Sequence, residues 1–318
     1  MEKGIIHVAC NIDASYVKYC VVMLTSLFEN NADSSFHIHV IASELPDDSK
    51  KILHDWIEGR YHQTLFVYET GNALLEGCSI YGESHISLAT YYRIFLESIL
   101  PRSINKVLYL DCDLIVNGSI KELWSTDITD YAAGCVEDMW SGKPDNYERL
   151  HYASSFSYFN AGVLLVNLEY WRNIQFQKVA EKYISEHMSE LVFNDQDVLN
   201  ALLHDKKLFL PFRYNVQDGF LRRKRRIRPE AIPDLEKELL HPVIVHYTGG
   251  KKPWQYKSQH PYKGLYFHYL DMTPWKGERP DVPFLYKVKR MVDRLLYALQ
   301  LAKPKYRKCY CRGGRYSM

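Results

Sequence analysis

The chain has 318 residues, 47% of them hydrophobic and 25% charged, which is ordinary for a soluble globular protein and long enough for one large domain or two small ones. The net charge of +2 hides an asymmetry: residues 284–318 hold ten Lys/Arg against one Asp, so an acidic body carries a basic end, a pattern that points to an anionic surface. Seven cysteines without a CxxC pair, an N-terminal stretch that meets Asp13 before an apolar signal core develops, and no apolar run near the ~18 residues of a bilayer span argue against a secreted disulfide framework and a membrane-spanning helix.

Reduced thiols and a cytoplasmic location are therefore expected, and the sequon at Asn117 reads as a chance match. In chain order, residues 4–10 (GIIHVAC) read as a strand, 16–28 as an apolar helix, 36–42 as a strand, 47–58 as a helix and 64–68 as a strand. A helix over 87–100 closes at Pro101, and a strand follows at 106–110. Strands at 132–136 and 162–166, helices at 168–186 and 196–203, and a last strand at 242–246 complete the body. Strands alternating with helices predict an α/β architecture, a mostly parallel sheet covered on both faces. Ligands of such sheets bind beyond the carboxyl ends of the strands.

That rule draws attention to KVLYLDCDLIV (106–116), where an apolar strand ends in Asp111 and Asp113. If the chain turns there, both carboxylates can converge on one hard cation such as Mg²⁺ or Mn²⁺, which would bridge a diphosphate and neutralise its charge as it leaves. The pair alone is a weak motif and also fits a solvated acidic turn. A haloacid-dehalogenase-type phosphatase shares it, but on the chain's first strand rather than past residue 100. A P-loop is absent. His246, in HYTGGKKPW, offers an imidazole that would favour Mn²⁺. Gly249 and Gly250 would let backbone approach a phosphate, with Lys251 or Lys252 supplying charge.

KVLYLDCDLIV, YFNAGVLLVNLEYWR (158–172), NDQDVLN (194–200) and HYTGGKKPW (246–254), in that order, resemble the retaining glycosyltransferases of family 8, GT-A-fold enzymes that use nucleotide-diphospho-sugars. The resemblance runs from about residue 4 to 270 and is strongest to the bacterial lipopolysaccharide galactosyl- and glucosyltransferases. It implies a GT-A catalytic domain over 1–270, with an acceptor-side segment at 206–240, and a tail at 271–318. It implies Mn²⁺ (or Mg²⁺) on Asp111, Asp113 and His246, diphosphate contacts from Gly249 and Lys252, a donor contact from Cys112, and base and ribose contacts from Asn11 and Asp13. His85, Ser87 and Arg93 match the donor-sugar segment, and Asn160 and Ala161 match sugar contacts. Asp195 and Gln196 match the residues beside the anomeric carbon. Either Glu137 or Asp138 fills a further acidic position.

The implied reaction moves galactose or glucose from a UDP-sugar to a saccharide or glycolipid acceptor with retention. Gln196 is a poor nucleophile, so same-face substitution is expected, with Asp195 binding sugar hydroxyls or, as the alternative, acting as nucleophile. A metal-dependent phosphatase or nucleotidyltransferase, and a nucleotide-sugar-binding protein without turnover, are the other readings. The run RRKRRIR (222–228) is either a site for an anionic acceptor or a solvated loop. Residues 284–302 place apolar side chains at three- or four-residue steps with basic residues beside them, which suits an anionic bilayer or packing on the body. No nucleic-acid-binding motif is present.

Overall fold

The computed structural model describes residues 4–71 and 88–307. Among the described residues ten strands are formed: β1 (Ile6–Asn11), β2 (Phe36–Ala42), β3 (Thr64–Glu69), β4 (Lys106–Leu110), β5 (Leu114–Val116), β6 (Ala133–Glu137), β7 (Phe159–Asn167), β8 (Lys207–Phe209), β9 (Val216–Gln217) and β10 (Ile244–His246). Seven make one sheet in the order β3-β2-β1-β4-β7-β6-β8, with only β7 running against its neighbours. The other three form a small sheet, β5-β10-β9. The expected mostly parallel α/β sheet is present, and β7 is its exception.

Alternation along the strands builds two cores. Val8, Cys10, Leu108 and Leu110 face the helix Val17–Glu29, which buries Cys20, Val21, Leu24 and Leu27 against them. Ala9, Val107 and Tyr109 face the other way, onto Tyr91, Phe95, Trp171 and Phe176. Both faces being covered, the strands read as continuous apolar runs. Truncating one such side chain, Leu108→Ala for example, is expected to cost about 2–5 kcal/mol.

The chain order places the functional edge. After β3 the chain returns to the middle of the sheet as β4, beside β1, so the crevice lies past Asn11 and Leu110. Because β7 is antiparallel, its start (Phe159, Asn160, Ala161) lies at the same edge, next to the end of β6. Four sequence-distant stretches meet there.

Three expected helices differ in detail. The 168–186 helix is two, Leu168–Asn173 and Phe176–His187, separated by Gln175 at φ 50°. The break lets the Trp171 and Phe176 rings meet at 4.3 Å, tilted by 38° and both fully buried, which one straight helix five residues along would splay. Residues 47–58 form an α-helix only to His54 and continue as a wider turn to Arg60. Of the expected 87–100 helix, Leu88–Phe95 is 3₁₀ and only Leu96–Ile99 is α-helical.

Candidate active site

Asp111 and Asp113 sit where the two sheets join. The Asp111 N–H donates to Gly162 O at 2.9 Å and so extends the large sheet; the Asp113 carbonyl accepts from Tyr247 N–H at 3.0 Å and so extends the small one. In the small sheet Leu114 pairs with His246, which brings the imidazole between the acids. His246 Nε2 lies 3.1 Å from Asp113 Oδ1 and 3.6 Å from Asp111 Oδ2. Its Nδ1 faces Asn215 Oδ1 at 3.0 Å. Asn215 Nδ2 donates to Asn160 at 2.8 Å, so its oxygen is the acceptor for Nδ1–H, and Nε2 is the ring nitrogen that faces the carboxylates.

The donor atoms of Asp111, Asp113 and His246 all lie within 4.8 Å of one another. Two oxygens and one imidazole nitrogen suit Mn²⁺ or Mg²⁺. Gly162 makes the arrangement sterically feasible: a Cβ there would stand 2.2 Å from His246 Cε1 and 2.5 Å from Asp111 Oδ2. Burial works against the charge on Asp113, but Lys252 and His246 outweigh it and hold the carboxyl well below the usual range. Lys252 Nζ bonds Asp113 and also the Tyr247 carbonyl, at 2.8 Å, so its ammonium is fixed at the mouth of the acid pair.

A second cluster lies alongside. Arg93, 6% exposed, donates to Ala161 O at 2.7 Å and pairs with Asp111 Oδ1 and Asp195 Oδ2, each at 2.9 Å. Thr90 Oγ1 donates to the other Asp195 oxygen at 2.6 Å. The 3₁₀ geometry explains this: at three residues per turn, Thr90 and Arg93 eclipse and grip one carboxylate together. Burial opposes the Arg93 charge, and Asp111 and Asp195 more than offset it. Burial pushes Asp195 up to about 6 despite Arg93 and Thr90.

Gln196 faces the cleft. Its Oε1 accepts from Ala161 N–H and Asn160 Nδ2, both at 3.1 Å, and its Nε2 donates to Tyr158 Oη at 3.1 Å and Asp138 Oδ2 at 3.3 Å. Asn194, just before, takes φ 48° and turns Asp195 and Gln196 inward as the helix Asp195–Leu203 begins. Asp138 resolves the open choice at the end of β6: it binds Asn160 and Gln196, whereas Glu137 pairs with Arg228 at 2.8 Å and takes the Ser141 hydroxyl. Burial lifts Asp138 to about 6 against donors from Trp140 N–H, Asn160 and Gln196.

The remaining expected residues fall around this centre. Asn11 takes the Tyr109 hydroxyl at the end of β1. Asp13 caps the turn at Ala14–Tyr16 by accepting from Ser15 N–H at 2.9 Å, two residues past that strand. Cys112 turns its thiol away from the acids, into the core beside Cys10 and Cys20, which leaves its backbone at the cleft. Gly249 lies over Asp218, where a Cβ would stand 3.2 Å from the carboxyl carbon. His85 and Ser87 lie outside the described residues. Sequence reasoning missed Thr90, Tyr109, Tyr158, Gly162 and Asn215. Only Gly162, inside the quoted YFNAG motif, gave a signal, since a glycine in an apolar strand marks close approach.

The basic run is mostly committed to the protein itself. Arg222 pairs with Asp218, Arg225 with Glu236 and Arg228 with Glu137, while Arg226 stacks over Trp140 at 4.7 Å. This departs from a purely solvated loop: Arg222, Arg225 and Arg228 are anchored to acids on the body. The helix Phe284–Ala298 buries no residue, and Phe284, Leu285, Met291 and Leu295 are well exposed. Past it, Arg223 N–H donates to Lys305 O at 3.1 Å and Arg307 N–H to Leu221 O at 2.9 Å, so the chain returns to the body. Among the described residues no helix is long and apolar enough to cross a membrane.

A sequence model described as glycosyl transferase family 8 matches residues 7–258. General stress protein A of Bacillus subtilis (strain 168) is 31% identical over 286 residues, covering 86% of this chain and 96% of that protein. A lipopolysaccharide 1,2-glucosyltransferase of Escherichia coli (strain K12) is 28% identical over 298 residues, covering 92% of this chain and 85% of the relative. Among solved structures, the galactosyltransferase LgtC in complex with donor and acceptor sugar analogues superposes with a TM-score of 0.77 at 23% identity, over 89% of this chain and all of that one. That likeness establishes the GT-A fold.

Proposed function

The chain belongs to glycosyl transferase family 8, and from that premise we propose that it transfers a hexose, galactose or glucose, from a UDP-sugar to a saccharide acceptor with retention of anomeric configuration. The observation that carries the proposal is the convergence of Asp111, Asp113 and His246 around the space kept open by Gly162. These residues would hold Mn²⁺, and the ion when bound supplies positive charge to the sugar-nucleotide diphosphate. Lys252, already fixed beside Asp113, adds a second cation where the leaving diphosphate gathers charge. Gly249 and Gly250 bring backbone to the phosphates, and Asn11 ends β1 with Asp13 two residues on, where a uracil and its ribose would sit.

The sugar rests against Arg93, Asn160, Ala161, Asp195 and Gln196. Both Asp195 oxygens are engaged, one by Thr90 and one by Arg93, which favours a role in shaping the sugar pocket over that of a nucleophile. Gln196 is held at both ends of its amide, so its dipole is oriented before substrate arrives and lies against the positive charge that develops at the anomeric carbon. The acceptor hydroxyl attacks from the face the diphosphate leaves, and the leaving phosphate oxygen takes its proton.

Relatives named as lipopolysaccharide glucosyl- and galactosyltransferases support a cell-surface glycan or glycolipid as acceptor. The exposed apolar face of Phe284–Ala298 and its basic neighbours support attachment to an anionic membrane. A panel of UDP-, GDP- and CMP-sugars with Mn²⁺, scored for nucleotide release with and without saccharide, tests the reading. UDP release from a UDP-hexose, lost in excess EDTA, is expected. Turnover that persists without a divalent ion, or a preference for GDP- or CMP-sugars, refutes it.

A further inference from the structure

Directly beneath the acid pair lie three thiols that the transfer reaction does not use. Cys10 is on β1, Cys20 on the helix Val17–Glu29, and Cys112 between Asp111 and Asp113. All three are free and buried, Cys10 and Cys20 completely. Their sulfurs lie within 4.8 Å of one another. They belong to the same buried apolar core as Val8, Val17, Val40 and Leu110.

We propose that Cys10, Cys20 and Cys112 form a second cation site, specific for a soft, thiolate-seeking d¹⁰ ion of the Zn²⁺ class. Two thiolates about 2.3 Å from a tetrahedral ion stand about 3.8 Å apart. Cys10 Sγ and Cys20 Sγ are 3.7 Å apart, already at that spacing. Three sulfurs from three elements give a facial set, and the Asn11 carbonyl lies 3.9 Å from Cys112 Sγ on the strand side. Binding replaces three S–H protons by the ion and releases them to solvent. The two cation sites differ by chemistry: oxygen and imidazole above, sulfur below. The lower site ties β1 and the helix to the loop that carries both acids, so it braces the upper site without touching substrate. The inference does not depend on the sugar-transfer reading.

The test uses the full chain, reduced, with Cys78, Cys309 and Cys311 replaced by serine to remove the thiols outside the described residues. Cd²⁺ is loaded by dialysis and followed by its sulfur-to-metal charge-transfer absorption and by ¹¹³Cd NMR. One equivalent with a thiolate-range signal is expected. His246→Ala should leave that signal intact, because the upper site offers no sulfur. Cys20→Ser should remove most of the absorption and weaken binding by at least about tenfold. No charge-transfer band in the parent protein overturns the proposal whatever the variants do. So does a band that survives Cys20→Ser, or one lost in His246→Ala. A denatured-state thiol count showing Cys10 and Cys20 already joined as a disulfide would overturn it as well.

Discussion

The two sides of the cleft are built on opposite electrostatic plans. On the metal side, Asp111 and Asp113 meet cationic or ligating partners, Lys252 and His246, and Asp113 is held firmly ionised. On the sugar side, amides dominate: Asn160, Gln196 and Asn215 pass hydrogen bonds to one another, and the carboxyls of Asp138 and Asp195 are pushed up to about 6. In the proposed reaction the concentrated charge of one side would meet a departing diphosphate, and the preorganised dipoles of the other would meet a diffuse positive charge on the sugar. Two residues join them: Arg93 bridges Asp111 and Asp195, and Asn215 links His246 to Asn160.

The sharpest way to break this comparison is to remove the metal side. Asp113→Ala and His246→Ala are each expected to lower kcat by about 10²–10³-fold or more, measured as UDP release from a UDP-hexose. Far-ultraviolet circular dichroism should stay unchanged. Gly162→Ala should do nearly as much damage with no change of charge, because its Cβ occupies the space of His246 and Asp111. If Gly162→Ala binds Mn²⁺ normally by electron paramagnetic resonance, the steric account of the site fails.

The sugar side should respond differently, through orientation. Gln196→Ala is expected to lower kcat by about 10–10²-fold with little change in donor affinity, since its dipole matters most in the transition state. Asp138→Asn keeps the shape but removes the buried charge. A carboxyl raised above its unfolded value binds a proton more tightly in the native state. Its contribution to stability is therefore complete below about pH 4 and declines as pH climbs through about 6. Urea titrations between pH 4 and 7 should show that decline in the parent and a flatter profile in Asp138→Asn. The variant gains on the order of 1–3 kcal/mol near neutrality while losing turnover.

The contrast also explains what could be read in advance. The sheet, its order of strands and helices, and the acids at its edge were legible because apolar runs and a charged strand tip are local signals. His246 was legible from its setting, a short apolar strand followed by Gly-Gly-Lys-Lys. The sugar side was legible mainly through resemblance. An asparagine such as Asn215 or a threonine such as Thr90 has no signature until the fold brings it to Asn160 or Asp195. The choice between Glu137 and Asp138 turned on which way each side chain leaves the end of β6. A bulge at Cys135/Val136 shifts that register, and no pattern in the sequence announces it. The 3₁₀ stretch at Leu88–Phe95 was hidden similarly, since its apolar spacing fits an α-helix equally well.

A smaller effect is expected from the surfaces flanking the cleft. The helix Phe284–Ala298 exposes Leu285 at 80% and Leu295 at 58%. Replacing both with glutamate should cut binding to anionic vesicles by about tenfold or more, given about 1.5–3 kcal/mol for each buried leucine. Turnover on a water-soluble acceptor should be unaffected. These substitutions leave Tyr306 on Asp218 and the backbone bonds of Lys305 and Arg307, which removal of the whole segment would destroy.

The smallest effect belongs to the basic run, where the internal pairings separate two sorts of arginine. Arg225, whose side chain is 7% exposed, is engaged with Glu236. Its loss should act chiefly on stability, by about 1 kcal/mol or less, since the Glu236 side chain is 46% exposed and keeps Arg307 as a partner. Arg223 and Arg226, held by a carbonyl and an aromatic face rather than by acids, keep charge to offer an anionic acceptor. Arg223→Gln with Arg226→Gln should raise acceptor KM about two- to fivefold, and leave acceptor-independent hydrolysis of the donor untouched. An acceptor KM that shifts with Arg225→Gln but not with that pair would mean the run serves the scaffold alone. The donor-side contrast would stand, and the acceptor's negative groups would have to be met elsewhere along the 206–240 segment.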